Sequence, residues 1–319
     1  MSDNDNKPPV VFTAIPGGKL GPDAGAQVLK LHAKSAVRMQ DVVGMAELKR
    51  TIRLRIVEPF QNPGLFARFR KKVGGGVMLY GPPGCGKTMI AKAVANECGA
   101  TFVGVTLSDI LDPFVGVSES NITEVFARAR AHKPAVLFFD ELDALAYARS
   151  KAGSSNARTR VNALLHELDG VDTQNDSVLV LAATNMPWDV DDAAKRPGRF
   201  DRLLFVPPPD VEARTQMMRN RLEGVPHAGV NVEAIAEATK FFSGADLDGL
   251  IETAKEFALD EIVSSGTERP LCQSDFQTAL KDMEPSTMEW LRTAKNLVKY
   301  GGASRAYRDV ADYLDREGL

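Results

Sequence analysis

Residues 81–88 fit the pattern G-x-x-x-x-G-K-[ST] without a gap, and they constrain the fold more than any other stretch of the chain. The apolar run at 77–80 predicts a short buried strand before this loop, and residues 89–95 predict a helix after it. A Gly/Pro-rich turn that happens to precede a lysine would not need this setting. The strand–loop–helix context therefore favours a phosphate-binding loop for a nucleoside triphosphate.

The residue types of this loop suit a phosphate group. Its glycines allow the backbone to curl with N–H groups facing inward, and the helix that begins near Lys87 directs its positive dipole end at the same anion. Lys87 can reach the β- and γ-phosphates, and the Thr88 hydroxyl can ligate Mg²⁺. The predicted nucleotide-binding residues of this stretch are Gly81, Pro82, Pro83, Gly84, Cys85, Gly86, Lys87, Thr88 and Met89.

Cys85 lies inside the loop, and two interpretations of it are open. Inward-facing N–H groups, a helix N-terminus and Lys87 would lower the pKa of its thiol and make it unusually reactive in the nucleotide-free protein. Alkylation would then block turnover, and ATP would protect. Alternatively, Cys85 is a small buried residue that does not react.

Composition narrows the kind of protein. The 319 residues suggest about two domains, and the net charge of −3 predicts no basic surface, so nucleic acid is not an expected partner. The three cysteines have no metal-ligand spacing and are typical of reduced thiols in the cytoplasm. No apolar run reaches the length of a membrane span. We expect a cytoplasmic protein without a membrane-spanning segment.

Four further apolar runs are continuous rather than alternating, which is typical of strands buried on both faces of a parallel sheet. They lie at 101–105, 135–139, 178–182 and 203–206. The helical stretches that alternate with them lie at 45–57, 120–131 and 157–168. Pro59 is expected to end the first of these helices. The alternation predicts an α/β domain over residues 41–210, with a parallel sheet flanked by helices.

The pattern changes to helices after three consecutive prolines. Apolar stripes at helical spacing predict a small all-helical domain over residues 211–283, with helices at 211–222, 232–239, 245–263 and 274–283. Two more predicted helices, at 288–300 and 304–314, form an extension over 284–319 that either packs on the rest of the protein or recruits an adaptor. Residues 1–40 are expected to be mobile, apart from one amphipathic helix predicted at 27–38.

Two adjacent acids, Asp140 and Glu141, come directly after the apolar run at 135–139. Ligands of open α/β sheets bind at the carboxyl ends of the strands, so both side chains are expected to face the nucleotide. Asp140 would hold Mg²⁺, and Glu141 would orient or deprotonate the attacking water. By itself the pair is equally typical of an ordinary strand end with solvated acids, and the phosphate loop is what favours the catalytic interpretation.

Residues 182–202 carry the most specific pattern, AATNMPWDVDDAAKRPGRFDR. This stretch resembles the second region of homology of the AAA ATPases, a family within the wider AAA+ group, and the resemblance covers about residues 41–283. It implies that Asn185 positions water beside the γ-phosphate. It also implies that Arg196 and Arg199 are arginine fingers that reach the ATP of a neighbouring subunit, and that ATP and Mg²⁺ are the cofactors.

The physical chemistry of the two arginines supports that transfer. A Pro-Gly pair separates them, so they are expected on a tight turn that projects both side chains outward. The planar, permanently charged guanidinium matches a phosphate, and a finger supplied by a neighbour makes hydrolysis depend on assembly. The alternative is a solvated basic turn.

By the same resemblance, two groups of residues would surround the base. Asp41, Val43 and Gly44 resemble the loop that holds adenine and ribose. Gly244 and Ala245 resemble the second-sensor region, where small residues let the helical domain close over the base.

Phe114, Val115 and Gly116 resemble the first pore loop, whose aromatic side chain contacts substrate in the channel of a ring. Pro113 before the aromatic residue and Val117 in place of a common acid depart from the family pattern. These departures leave open how strongly the loop would hold a substrate and which substrates it would prefer. Phe114 could instead pack into a core. The polar stretch at 149–157 is either a second pore loop or an ordinary solvated loop.

Two functions of different classes fit these features. The first is a homo-oligomeric ring, a hexamer by the resemblance, that uses ATP to thread, unfold or disassemble protein substrates, directly or through an adaptor. The second is a nucleotide-switched loader or scaffold, whose ATP state sets its affinity for a partner without processive threading. Phe114, Val115 and Gly116 and the near-neutral charge favour the first.

Overall fold

The computed structural model describes residues 31–32, 35–69, 76–112, 114, 116–147, 155–169, 177–300 and 307–319. Six strands form one sheet in the order β1-β3-β4-β5-β2-β6. Their bounds are β1 (Leu31–His32), β2 (Gly76–Tyr80), β3 (Thr101–Val105), β4 (Ala135–Phe139), β5 (Val178–Thr184) and β6 (Arg202–Phe205). Strands β2 to β6 pair in parallel, which confirms the parallel sheet predicted from the continuous apolar runs.

Helices cover both faces of this sheet, and the α/β prediction is therefore confirmed. On one face, Phe126 and Leu164 pack against the strands; on the other, Ile52 and Ile90 do the same. The helices of this part are α1 (Ala46–Ile52), α2 (Glu58–Gln61), α3 (Pro63–Arg68), α4 (Lys87–Glu97), α5 (Leu107–Ile110), α6 (Val117–Ala131), α7 (Leu142–Leu145) and α8 (Ser155–Asp169).

The pairing of the strands decides which loops become neighbours. Strand β2 lies between β5 and β6, and β4 lies on the other side of β5. Tyr80 at the end of β2 is opposite Thr184 at the end of β5, and Phe139 at the end of β4 is opposite Ala182. Because parallel strands end at the same edge of a sheet, the phosphate loop, the two acids and Asn185 meet there.

After β6, the described part of the chain is mainly helical, as predicted. Helices α9 (Val211–Leu222), α10 (Val232–Ala238), α11 (Gly244–Ser265) and α12 (Gln273–Ala279) share a core that includes Met218, Leu250 and Phe276. Helices α13 (Thr287–Tyr300) and α14 (Arg308–Glu317) pack on the large part of the protein through an aromatic cluster. No helix in the described part of the chain is long and apolar enough to cross a membrane. The predicted boundaries at 41, 211 and 284 stay predictions.

The predicted helix at 27–38 is wrong where the structure describes it. Residues 31–32 form β1, which pairs antiparallel with β3, and residues 35–38 are not helical. The physical reason is that β3 would otherwise be an edge strand with unpaired N–H and C=O groups. Satisfying that edge outweighs a weak helical stripe. The remainder of the predicted helix lies outside the described residues.

The predicted stop at Pro59 is also wrong, because the helix continues to Gln61. Residues Arg53–Val57 form a π-helical turn between α1 and α2. Pro59 has no N–H to donate to the carbonyl oxygen of Arg55, and the guanidinium of Arg202 donates to that oxygen at 2.6 Å. The wider turn and this contact carry the helix past a proline that would otherwise end it.

Candidate nucleotide site

The phosphate loop follows β2 without any intervening residue, and its first glycine is required by close packing. A Cβ on Gly81 would lie 2.3 Å from the carbonyl oxygen of Val206, so no larger residue fits. Gly86 has a φ of 87° directly before Lys87, the first residue of α4. This left-handed residue turns the chain into the helix, whose N-terminal N–H groups then face the loop.

Lys87 is held inside the loop rather than in solvent. Its Nζ donates to the carbonyl oxygens of Gly81 at 2.8 Å and Pro82 at 2.7 Å, and the residue is only 8% exposed. Burial lowers its pKa to about 8, against the raising effect of the nearby carboxylates of Asp140 and Asp143. An anion bound in the loop would stabilise the charged form of this amino group.

The predicted metal ligands are in contact with each other. The Thr88 hydroxyl donates to Oδ2 of Asp140 at 3.0 Å, across the gap between α4 and the end of β4. A hydroxyl and a carboxylate oxygen at that spacing are the ligand types that Mg²⁺ prefers, so the two residues fit a magnesium ion bound together with a nucleotide. The acid next to them, Glu141, is exposed and has a φ of 52°, and its N–H donates to Oδ1 of Asp140 at 3.1 Å.

One cavity of about 460 Å³ brings most of the predicted nucleotide-binding residues together. From the large part of the protein it is lined by Val43, Pro83, Gly84, Cys85, Gly86, Lys87, Thr88, Met89, Asp140, Glu141 and Asn185, and from α11 by Gly244 and Ala245. The helical part therefore covers the phosphate loop, and the cavity lies between the α/β part and the helical part.

Four predicted residues do not line this cavity. The carbonyl oxygens of Gly81 and Pro82 hold Lys87, as described above. Asp41 is exposed, and its carboxylate accepts the backbone N–H of Arg38 at 2.7 Å. Gly44 has a φ of 69°, and a Cβ at this position would lie 2.6 Å from the Cβ of Ala213. The predicted part of Asp41 and Gly44 in holding the base stays a prediction.

Sequence reasoning missed an ion pair at the mouth of the cavity. Arg221 on α9 donates through Nη2 to Asp248 on α11 at 3.0 Å, and also to the carbonyl oxygen of Gly244 at 3.2 Å. Both charged residues line the cavity, as does Met217. Arg221 and Asp248 lie on different helices and form no recognisable motif, so no sequence pattern could have indicated them.

A second missed contact lies beside Asn185. The Thr184 hydroxyl donates to Oδ1 of Asp143 at 2.6 Å and accepts the N–H of Met186 at 2.9 Å. Asp143 follows Glu141 by two residues, so this contact joins the loop after β4 to the loop after β5. The signal was present in the sequence as a third acid, but its partner depends on strand order.

The prediction of a reactive Cys85 is wrong. The thiol is 4% exposed, and burial raises its pKa to about 12, which outweighs the lowering effect of Lys87. Its Sγ donates to the carbonyl oxygen of Pro83 at 3.6 Å. A buried, protonated thiol is a poor nucleophile, and the alternative of an inert small residue is the one that the structure bears out.

The two arginines of the Pro-Gly turn differ from each other. Arg196 is exposed, but Arg199 forms a bidentate ion pair with Asp169 at the end of α8, at 2.7 and 2.8 Å, and donates to the carbonyl oxygen of Ala193. The expectation that both side chains project outward is therefore wrong for Arg199. Both line a separate depression of about 320 Å³, which shares no residue with the nucleotide cavity.

The predicted pore loop is described only in part. Phe114 is 75% exposed, so it does not pack into a core. Gly116 has a φ of 87° and precedes the first residue of α6. Pro113, Val115 and residues 149–154 of the second predicted loop lie outside the described residues. The contact of Phe114 with a substrate stays a prediction.

A phosphate loop after one parallel strand, two acids after another strand of the same sheet and a helical cover over both define a P-loop nucleoside triphosphatase. Residues 77–208 match the family described as ATPase family associated with various cellular activities (AAA), and residues 229–277 match the AAA+ lid domain. The chain therefore contains an AAA ATPase domain followed by an AAA+ lid domain.

Two relatives have similar sequences. The chain is 39% identical over 262 residues to a protein named cell division cycle protein 48 homolog of Archaeoglobus fulgidus, a match that covers 78% of this chain and 36% of the relative. It is 42% identical over 245 residues to the ATPase family gene 2 protein of Schizosaccharomyces pombe, which covers 76% of this chain and 30% of the relative. The chain thus spans about a third of the length of these curated relatives.

Proposed function

We propose that the protein is an ATP-driven motor that works as a ring of identical subunits, a hexamer, and remodels or unfolds protein substrates in the cytoplasm. The observation that carries the proposal is the separation of the nucleotide cavity from Arg196 and Arg199. A single chain holds the phosphate loop and the acids in one place and the predicted fingers in another. A neighbouring copy could supply the missing positive charge.

Within one subunit, the proposed roles follow from the contacts. Lys87 and the loop N–H groups bind the β- and γ-phosphates, while Thr88 and Asp140 hold Mg²⁺, which would neutralise charge on the phosphates when bound. Glu141, the exposed acid at the cavity, orients and deprotonates the attacking water. Asn185 positions that water from the adjacent strand end.

The charge that develops on the transferred phosphoryl group needs further stabilisation. Arg221 lines the cavity but is already paired with Asp248, so its charge is compensated within the helical part of the protein. Arg196 is exposed on a tight turn, so its guanidinium could reach a neighbour's nucleotide. Arg199 would have to break its ion pair with Asp169 before its guanidinium could bind a phosphate. Hydrolysis would then depend on assembly.

Exposed apolar side chains on both parts of the protein support assembly. On α11, Leu259 and Val263 are exposed, and on the π turn and α3 so are Leu54 and Leu65. Leu259 and Val263 are four residues apart on one helix and so share a face, and exposed apolar side chains that share a face are typical of surfaces buried in an oligomer. A ring formed by one such face meeting another from the next copy would be a head-to-tail assembly that closes on itself.

The proposed substrate contact is Phe114. An aromatic face offers van der Waals area to any polypeptide, and at 75% exposure this side chain has most of its surface available. A chain that is gripped by such side chains and pulled as the ring changes nucleotide state would be unfolded without regard to its sequence. An adaptor that delivers the substrate is compatible with this scheme.

Mixed assemblies test whether the arginines act between subunits. In a mixture of Arg199→Ala and Lys87→Ala proteins, an intact Lys87 site can face an intact finger, so ATPase activity should return although neither parent has it. The control mixes Arg199→Ala with the Lys87→Ala/Arg199→Ala double variant, so that no subunit in the mixture has Arg199. Activity in neither mixture, although native mass spectrometry shows mixed rings, would contradict fingers acting in trans.

A further inference from the structure

Helix α13 reaches the nucleotide site from outside the matched family regions. Trp290 on this helix is buried, and its indole N–H donates to the backbone carbonyl oxygen of Asn185. The family matches end at residues 208 and 277, so α13 lies beyond both of them. A side chain of the C-terminal extension therefore holds the backbone of Asn185, a residue that lines the nucleotide cavity.

The loop around Asn185 is fixed at three consecutive residues. Thr184 is tied to Asp143 through its hydroxyl, which also accepts the N–H of Met186. The indole N–H of Trp290 holds Asn185, the residue between them, through its backbone carbonyl oxygen. The first two ties belong to the ATPase domain itself, and only the third comes from the extension. Removing it would leave Asn185 held through its neighbours alone.

The indole of Trp290 is itself rigidly placed. It stacks on Phe205 with ring centroids 5.8 Å apart and an interplanar angle of 13°, and its centroid lies 5.5 Å from that of Trp188. Phe205 is the last residue of β6, so the stack connects the indole to the sheet. Because the indole is packed on two sides, a shift of α13 would also shift the Asn185 carbonyl oxygen to which the indole N–H donates.

The same helix is also tied to the lid. Ser286, the residue before α13, donates its hydroxyl to Oδ2 of Asp246 at 2.9 Å and its backbone N–H to the same oxygen at 3.2 Å. Asp246 is part of the capping box at the start of α11, and the next-door residues Gly244 and Ala245 line the nucleotide cavity. One turn of helix thus separates a contact with the lid from a contact with Asn185.

We infer that Trp290 is a positioning residue for Asn185, and that α13 couples the position of the lid to the loop that carries Asn185. The inference rests on the proposed role of Asn185 in positioning the attacking water. When the lid moves with the bound nucleotide, Ser286 moves with it, and the indole of Trp290 carries that movement to the Asn185 carbonyl. Catalytic geometry is then complete only when the lid is closed.

Replacement of Trp290 by Phe keeps the aromatic stack and removes the N–H. Because a small misplacement of a water-positioning group mainly affects the chemical step, kcat should fall about tenfold while KM changes by less than about twofold. Trp188→Phe is the matched control, since it removes an indole from the same cluster but no contact with Asn185. Equal kcat values for the two variants, or a higher KM with unchanged kcat, would overturn the inference.

Fluorescence offers a readout that a purely structural role would not change. The chain has two tryptophans, so Trp188→Phe leaves Trp290 as the sole emitter. In a Trp188→Phe/Glu141→Gln protein, ATP binding should shift the emission of Trp290, because the polarity around its N–H changes as α13 moves. Adding Ser286→Ala should reduce the shift at saturating ATP. An unaltered emission on ATP binding, with binding verified by calorimetry, would refute the coupling.

Two further variants separate the possible failures. Asn185→Ala should lower kcat strongly; if it does not, the proposed role of Asn185 fails, whereas a loss in Asn185→Ala but none in Trp290→Phe refutes only the positioning by Trp290. If Trp290→Phe has a lowered melting temperature, Ser286→Ala provides the test, because this exposed residue lies outside the aromatic cluster. Its kcat should fall about threefold, and an unchanged value would overturn the link to the lid.

Discussion

The nucleotide cavity and the Arg196–Arg199 turn use their charged groups in opposite ways. In the cavity, the amino group of Lys87 donates to two carbonyl oxygens of the phosphate loop, and the Thr88 hydroxyl donates to Asp140. All of these hydrogen bonds form within one chain. At the turn, Arg196 is exposed and Arg199 is held by Asp169 beside an open depression. The cavity is organised for binding within one chain, whereas the two arginines of the turn lie outside it. Binding is thus a property of the chain, and we expect full turnover to be a property of the assembly.

Arg196→Ala should have the largest effect and tests the second half of this comparison. Loss of an arginine finger lowers the rate of hydrolysis about 10³-fold or more, because charge developing on the phosphoryl group is left uncompensated. Nucleotide affinity, measured by calorimetry, should stay within about threefold of the parent, since Arg196 lies outside the cavity. A matching loss of affinity would place Arg196 in its own subunit's site.

Glu141→Gln and Lys87→Ala should separate chemistry from binding inside the cavity. Glu141→Gln removes the base and keeps the size of the side chain, so ATP hydrolysis should fall about 100-fold or more while ATP stays bound. Lys87→Ala removes an amino group that the loop holds for phosphate, so binding itself should weaken. Filter binding of labelled ATP distinguishes the two. An equal loss of ATP binding in both variants would contradict these roles.

The pKa of Lys87 predicts a smaller, pH-dependent effect. Its folded-state value, about 8, lies below the ordinary value of 10.5, so the charged form dominates below pH 8 and is lost as the pH rises through that value. Only the charged amino group attracts phosphate strongly, so the Kd for nucleotide should rise about tenfold between pH 7 and pH 9. The matched control is Lys87→Met, whose Kd should be higher at pH 7 and should lack this rise. A Kd for the parent that stays constant over this range would contradict the assignment.

Phe114→Ala should have the smallest effect on ATP hydrolysis and tests the exposed surface of the molecule. The side chain is 75% exposed and lies outside the nucleotide cavity, so melting temperature and basal ATPase should stay close to those of the parent. Unfolding of a tagged fluorescent substrate should nevertheless be lost, because the motion of the ring would no longer be coupled to the chain. Unfolding at the parent's rate would disprove the pore assignment.

Phe126→Ala is the matched control for that experiment. Phe126 is fully buried against the sheet, and its truncation should cost about 3–5 kcal/mol in the free energy of unfolding. Its melting temperature should therefore fall clearly. A similar fall for Phe114→Ala would show that Phe114 is buried in the assembled protein.

The sequence by itself determined the parts of the protein that depend on local pattern. The phosphate loop, the acids after β4 and the parallel strands could be predicted because each is encoded by a few consecutive residues, and continuous apolar runs can be buried only between two layers. The helices of the lid follow from their own periodicity in the same way. The family resemblance added Asn185 and the two arginines.

Only the tertiary structure decided the features that depend on distant pairs. The ion pair of Arg199 with Asp169 joins residues 30 positions apart, and the contact of Trp290 with Asn185 joins residues 105 positions apart. Likewise, whether the Cys85 thiol ionises depends on how much packing surrounds the loop, and β1 forms because β3 has an open edge. The physical reason is common to all four. Burial, charge pairing and strand pairing are set by which segments meet in space, and a local pattern carries no record of its distant neighbours.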